Sequence, residues 1–144
     1  MRTRRAFREA VETIVLVAVT LILAFIVAPR VFSTDVPLAV VASYSMEPAL
    51  RLGDLIVVNG AKTPSVGDVI VYVSPTSGLI VHRVIKVQET LRGTEFITKG
   101  DANLAPDAEP VPAQRVKGRV DIVIPYIGVV RLAFERLLQG LRGF

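Results

Sequence analysis

Residues 67–87 read GDVIVYVSPTSGLIVHRVIKV, which is two β-branched runs separated by a short polar segment. Valine and isoleucine favour pleated strands, whereas the segment 74–78 (SPTSG) supplies the serine, proline and glycine of a turn. The stretch therefore predicts two consecutive strands, Asp68–Val73 and Ile80–Val87.

The same alternation of short apolar runs with turn residues continues on both sides of this stretch. It predicts four further strands, at Leu38–Ala42, Leu55–Val58, Glu95–Thr98 and Val116–Ile124. Residues 90–94 (TLRGT) predict a hairpin connection in which Gly93 takes a positive φ. Residues 102–112 contain three prolines and predict a loop. The body of the chain, residues 33–125, is thus expected to be a mainly β domain.

Upstream of this domain, residues 10–32 predict one transmembrane helix. Residues 14–28 carry no charge and a single polar side chain, Thr20, and the apolar span of roughly 20 residues suffices to cross the hydrocarbon core. The basic segment 1–9 contains four arginines, which predicts a cytoplasmic N-terminus and an extracytoplasmic β domain in a single-pass protein of the cell membrane. A cleaved signal peptide ending at Ala42 is the alternative, and the length of the apolar run favours a retained anchor.

The tail, residues 126–144, returns to helical spacing. Its apolar residues fall near one helical face: Ile127, Val130, Phe134, Leu137, Leu138 and Leu141. Charges at positions 131, 135 and 136 argue against a second membrane span. The pattern predicts an amphipathic C-terminal helix that lies on the membrane or packs on the domain.

Composition excludes several classes of function. The chain has no cysteine, which excludes disulfides, thiol catalysis and thiolate metal sites. It has one histidine and no cluster of carboxylates in the sequence, so we expect neither a metal nor another cofactor. The net charge is +4, but the basic residues do not form a stripe with interleaved aromatic residues, so no nucleic-acid partner is expected.

His82 is the first candidate for chemistry, because histidine can take up and release a proton near neutral pH. It lies in an apolar strand, and strand alternation places it on the face of Ile80 and Val84, opposite Arg83. A single histidine on an apolar face is more often a hydrogen-bonded structural residue. Its position alone therefore leaves both interpretations open.

Two serines are the candidate nucleophiles. Ser43 and Ser45 follow an apolar strand just beyond the anchor, and side chains at i and i+2 of extended backbone point to the same side. One could attack a carbonyl while the other donates to the developing oxyanion. Asp101 or Asp107, in the loop after Gly100, could orient the histidine. Each of these residues could equally be an ordinary solvated loop residue.

Four blocks, in this order, resemble the motifs of type I signal peptidases. They are Ser43-Tyr44-Ser45-Met46-Glu47-Pro48, Gly67-Asp68-Val69-Ile70-Val71, His82-Arg83-Val84 and Gly100-Asp101-Ala102-Asn103. Together with the anchor they cover most of residues 10–125. The bacterial branch of the family has a lysine where this chain has His82, so the resemblance is to the endoplasmic-reticulum and archaeal branch, which uses serine, histidine and aspartate.

The resemblance implies an antiparallel β domain and a membrane-bound serine endopeptidase that removes signal peptides from secretory preproteins after small residues. It implies Ser45 as nucleophile, His82 as general base and Asp107, six residues after Asp101, as the acid that orients the base. Ser43 matches the oxyanion donor of the bacterial branch, and Asp101 would be a supporting carboxylate. The implied partners are preprotein signal peptides, the lipid bilayer, and translocon or accessory subunits.

This chain departs from the family pattern at two positions. Ala102 stands where the branch often has asparagine, and Pro106 lies unusually between the two aspartates.

Three other interpretations of the function remain. A serine–lysine peptidase could use Lys86 or Lys99 as its base. The chain could also be a catalytically inactive membrane-anchored β module of a translocation complex. A self-cleaving regulator shares the fold, although a membrane anchor does not suit it.

Overall fold

A computed structural model describes residues 2–126, which fall into two compact units, one ending at Val31 and one beginning at Phe32. The first unit is a single helix, α1 (Arg2–Val31), and its Phe7–Val31 portion is long and apolar enough to cross a membrane. The helix predicted at residues 10–32 is therefore present and begins earlier than expected. The predicted helix at 126–144 lies outside the described residues.

The second unit is an antiparallel sheet, which confirms the mainly β prediction. Its strands are β1 (Leu38–Val40), β2 (Leu55–Asn59), β3 (Val69–Ser74), β4 (Gly78–Thr90), β5 (Gly93–Lys99), β6 (Val111–Pro112) and β7 (Val116–Ile124). Their order across the sheet is β1-β2-β7-β3-β4-β5-β6. β3, β4 and β5 are therefore neighbours both in the chain and in space.

All six predicted strands are present, and the last has the predicted bounds. The connection between β4 and β5 is tighter than expected, because Thr90 already pairs with Gly93 and only two residues remain between them. Gly93 has the predicted positive φ, 106°.

One part of the predicted loop at 102–112 is wrong. Val111 and Pro112 form the edge strand β6, which pairs with β5, and a short 3-10 turn, Ala113–Arg115, follows. The prolines hide this strand in the sequence, since they interrupt the alternation of apolar and polar residues. Val111 is nevertheless buried in the core, which explains why the segment docks on the sheet.

The core has two apolar clusters. The first contains Val41, Met46, Leu50, Ile56, Val58 and Val71, and the second contains Ile70, Tyr72, Val84, Phe96 and Val111. Successive residues of a strand point to opposite faces, so Ile70 and Val71 of β3 divide between the two clusters, and both are fully buried. Burial on both faces accounts for the continuous apolar sequence of β3.

Candidate active site

Ser45 begins a tight turn that follows β1. The Glu47 amide donates to the Tyr44 carbonyl at 3.1 Å, and the Leu50 amide donates to the Met46 carbonyl at 2.9 Å. The Met46 and Leu50 side chains fill the first core cluster. These buried anchors fix the turn, while the Ser45 side chain stays partly accessible.

His82 faces Ser45 from β4. Its Nε2 lies 3.2 Å from the Ser45 Oγ. The residue is buried, with 7% of its surface exposed. His82 pairs with Ile70 on β3, and Val84 pairs with Thr98 on β5, so these residues share one face of the sheet. The predicted face of His82 is thus the observed one.

Asp107 completes the arrangement on the other side of the imidazole. Its Oδ2 lies 2.7 Å from His82 Nδ1. The Asp107 amide donates to the Thr98 carbonyl at 2.8 Å, which ties the loop to the end of β5. The same Oδ2 accepts hydrogen bonds from the Tyr72 hydroxyl at 2.9 Å and the Thr98 hydroxyl at 2.5 Å.

These contacts decide the charge of Asp107. Burial by itself raises the pKa of the carboxyl, but the hydrogen bonds from His82, Thr98 and Tyr72 outweigh burial and hold the pKa below its usual value. Asp107 is therefore a carboxylate at neutral pH. An ionised carboxylate on Nδ1 favours the tautomer that leaves Nε2 free to accept a proton from Ser45.

Ser43 also belongs to this arrangement. Its Oγ lies 3.1 Å from the Ser45 Oγ, so the two hydroxyls do lie on the same side. Within residues 2–126, no protein group accepts a hydrogen bond from the Ser45 amide. That amide and the Ser43 hydroxyl are two donors beside the candidate nucleophile.

Asp101 has a different position from Asp107. Its two oxygens accept from the Arg83 guanidinium at 2.8 and 2.6 Å, and Arg83 also donates to the Gly67 carbonyl at 2.8 Å. Arg83 is the residue that alternation places opposite His82. The structure therefore places Asp101 where it fastens its loop to β4, and it places Asp107 against the imidazole.

The loop that carries both aspartates lies against the backbone of the nucleophile. The Ala102 amide donates to the Ser45 carbonyl at 2.9 Å. A Cβ at Gly100 would lie 2.6 Å from that same carbonyl oxygen. Glycine is thus required at position 100, because the loop and the Ser45 turn approach too closely for a larger residue.

Neither alternative lysine is on the face of His82. Lys99 pairs with Arg83, and Lys86 pairs with Ile97, one residue before Thr98. Ile97 and Lys99 flank Thr98 on β5 and so lie on the opposite face, which Lys86 shares as the partner of Ile97. Along β4, Lys86 does not follow the alternation from His82 and Val84, because Ile85 is unpaired. Both lysines therefore lie on the face opposite His82 and Thr98. The arrangement of the sheet does not favour a serine–lysine dyad.

A groove with a volume of about 450 Å³ leads to the serine–histidine pair. Its lining comes from Val36, Leu38–Ser43, Ser45, Met46, Val71 and Leu79–His82. Most of these side chains are small or apolar. Among the described strands, β1 lies at one edge of the sheet, so one of its sides is not paired. The groove can therefore accept an extended peptide with small apolar side chains.

Tyr72 and Thr98 were not predicted from the sequence as residues of this site. Each is an ordinary strand residue by sequence, and their convergence on Asp107 depends on the pairing of β3, β4 and β5. The family resemblance gave no role to either position.

Comparison with known proteins gives consistent matches. Residues 10–102 match the family described as signal peptidase, peptidase S26. The chain is 34% identical over 131 residues to the signal peptidase complex catalytic subunit sec11 of Schizosaccharomyces pombe, covering 70% of this chain and 69% of that one. It is 34% identical over 129 residues to the Penicillium rubens sec11 subunit, covering 78% of this chain and 74% of that one. With the human subunit SEC11C it shares 36% identity over 110 residues, which covers 69% of this chain and 57% of the human protein.

Proposed function

The chain belongs to the signal peptidase family, peptidase S26, and we propose that Ser45, His82 and Asp107 are the catalytic triad with which this serine endopeptidase removes signal peptides from secretory proteins. The observation that carries the triad is the unbroken series of contacts, 3.2 Å from Ser45 Oγ to Nε2 and 2.7 Å from Nδ1 to Asp107 Oδ2. A serine held by a base, with the base oriented by a carboxylate, is the arrangement that acyl transfer needs. The family match ends at residue 102 and does not include Asp107. The proposed role of Asp107 is therefore supported by its contacts with His82, Tyr72 and Thr98.

In the first half of the reaction, Ser45 Oγ attacks the carbonyl carbon of the scissile bond and its proton passes to His82 Nε2. Asp107 stabilises the imidazolium through Nδ1–H. The tetrahedral intermediate then collapses, the C–N bond breaks, and Nε2 gives its proton to the leaving amine of the mature protein. The signal peptide remains as an ester on Ser45.

In the second half, a water molecule attacks the ester carbonyl while Nε2 takes up one of its protons. Collapse of the second intermediate breaks the bond to Oγ, and the proton on Nε2 returns to Ser45. The products are a signal peptide with a new carboxyl terminus and the regenerated enzyme.

The Ser45 amide and the Ser43 hydroxyl would stabilise the negative oxygen of both intermediates. The amide is not engaged elsewhere among the described residues, and the Ser43 hydroxyl needs only to turn away from the Ser45 Oγ, 3.1 Å away. Donors fixed before the reaction stabilise charge that develops in the transition state.

The cleavage segment of the substrate would lie extended along the free edge of β1 and be held by backbone hydrogen bonds. Its small side chains at the first and third positions before the cut would enter the groove between β1 and the Leu79–Val81 part of β4. The groove volume of about 450 Å³ and its apolar lining support small apolar side chains at these substrate positions.

The apolar helix α1 supports a location for the enzyme. The helix would anchor the chain in the cell membrane, with the arginine-rich N-terminus in the cytoplasm and the catalytic domain, residues 33–125, on the extracytoplasmic face. Anchoring restricts the search for substrate to the membrane where signal peptides arrive. The relatives are named as subunits of a signal peptidase complex, which supports accessory subunits as further partners of this chain.

The test is cleavage of a preprotein that has a small-x-small site by the full chain in detergent. Wild type, Ser45→Ala and His82→Lys are compared with Ser77→Ala, which removes a hydroxyl in the exposed β3–β4 turn. We expect cleavage by wild type and Ser77→Ala only. Cleavage by Ser45→Ala would contradict the proposed nucleophile, and a folded wild type that never cleaves would favour the inactive module.

A further inference from the structure

Three hydrogen-bond donors converge on one oxygen of Asp107, and only one of them belongs to the triad. Oδ2 accepts from His82 Nδ1–H, from the Tyr72 hydroxyl at 2.9 Å and from the Thr98 hydroxyl at 2.5 Å. We infer that Tyr72, together with Thr98, is a positioning residue that holds the Asp107 carboxylate in the orientation His82 requires. The inference rests on the proposed catalytic role of Asp107.

The donors are fixed by the sheet itself. Tyr72 lies on β3, His82 on β4 and Thr98 on β5, which are three adjacent strands. All three are buried, with 5%, 7% and 0% exposure respectively. Asp107, from a loop, thus meets a rigid row of donors whose spacing is set by strand pairing. Its own amide is bonded to the Thr98 carbonyl, which limits rotation of the loop.

The tyrosine hydroxyl is not needed to fill the core. The Tyr72 ring packs in the second apolar cluster and makes an edge contact with the imidazole, with 6.4 Å between ring centroids. A phenylalanine ring would preserve both contacts. The hydroxyl donates to Asp107, so Tyr72→Phe removes this bond while it keeps the packing.

Tyr72 keeps its proton at neutral pH. Burial raises the pKa of its phenol to about 12, and the neighbouring Asp107 carboxylate also raises it. The phenol can therefore donate to Asp107 at neutral pH. Among residues 2–126, the titratable groups that contact Asp107 are His82 and Tyr72. The charged residues Glu109 and Arg115 line, together with Asp107, a second cavity of about 310 Å³.

Two consequences follow for the triad. The donors stabilise the ionised form of Asp107, and they fix the direction of Oδ2 toward Nδ1. Loss of one donor should let the carboxylate rotate and should raise its pKa. Both effects reduce the fraction of enzyme in which Nε2 is ready to accept the Ser45 proton.

The experiment compares wild type with Tyr72→Phe, Thr98→Val and Thr98→Ser in the full chain. Tyr126→Phe is the matched control, since it removes a phenol that accepts a hydrogen bond from Arg51 at 2.7 Å. We expect Tyr72→Phe and Thr98→Val each to lower kcat about tenfold with little change in KM, and to move the acidic limb of the kcat profile to higher pH. Thr98→Ser, which keeps the hydroxyl, and Tyr126→Phe should retain the wild-type limb.

A second readout does not need activity. The 13C signal of the Asp107 carboxyl, assigned with Asp107→Asn, is titrated by NMR in wild type and in Tyr72→Phe. We expect its midpoint to move upward in the variant. The inference is overturned if folded Tyr72→Phe has the wild-type kcat and acidic limb and the same carboxyl midpoint. A wild type that never cleaves would contradict the proposed function instead, and the carboxyl titration would still decide the role of Tyr72.

Discussion

Replacement of Asp107 by asparagine removes the negative charge from a carboxylate oxygen that accepts three hydrogen bonds. Oδ2 accepts from His82, Tyr72 and Thr98. The asparagine side chain has nearly the same shape, so the fold should persist. It offers one acceptor oxygen and an NH₂ group that only donates.

Each orientation of the new amide impairs the base. If the NH₂ group faces Nδ1, the imidazole must accept there, and Nε2 then carries the proton and cannot take one from Ser45. If the oxygen faces Nδ1, the tautomer is kept, but the imidazolium formed during the reaction has no negative partner. On the scale of known serine–histidine–aspartate triads, the loss in kcat should be about a thousand- to ten-thousand-fold near neutral pH.

The assay is single-turnover cleavage of a preprotein, which reports the chemical step rather than product release. Asp121→Asn is the control, because Asp121 also accepts hydrogen bonds from Arg119, Asn59 and Lys62, away from the groove. Cleavage by folded Asp107→Asn within a few-fold of the wild-type rate would contradict the proposed role of Asp107. An equal loss in Asp121→Asn would show that the effect is not particular to the triad.

Two further predictions concern pH and loop packing. The folded-state pKa of Asp107 is lowered, so its contribution to stability is complete above the usual aspartate pKa of about 3.9 and is lost as pH falls through the folded-state pKa. The midpoint of thermal unfolding should therefore fall in this acidic range, and it should fall less steeply in Asp107→Asn. An identical fall in wild type and variant would contradict this prediction. Gly100→Ala should lower kcat by at least about tenfold, because its Cβ would lie 2.6 Å from the Ser45 carbonyl oxygen. Gly78→Ala, at a positive φ of 73° with open space around it, should lose about 1 kcal/mol of stability and keep its activity. Similar activities for the two variants would show that the close approach of the loop to Ser45 does not matter.

Local pattern predicted much of this molecule. The β-branched runs located six strands, and strand alternation placed His82 opposite Arg83, as observed. Alternation alone could not distinguish the two aspartates, because the contact of Asp101 with Arg83 is seen only in the structure. The family resemblance predicted Asp107 from its spacing after Asp101, and its catalytic role stays a prediction.

The row of donors around Asp107 could not be predicted in this way. Tyr72 and Asp107 are 35 positions apart, and their contact requires the pairing of β3, β4 and β5. The β4–β5 register also shifts between Val84 and Lys86, where Ile85 is left unpaired. Such a shift changes which side chains share a face, and no local signal marks it.

The role of Ser45 as nucleophile is tested by the mass of the enzyme during turnover. A preprotein cleavage is stopped with acid before completion, and the peptides of the enzyme are mapped by mass spectrometry. We expect a signal-peptide acyl group on Ser45 alone, formed by wild type and absent in His82→Lys. An acyl group on another residue, or efficient cleavage by Ser45→Ala, would contradict it.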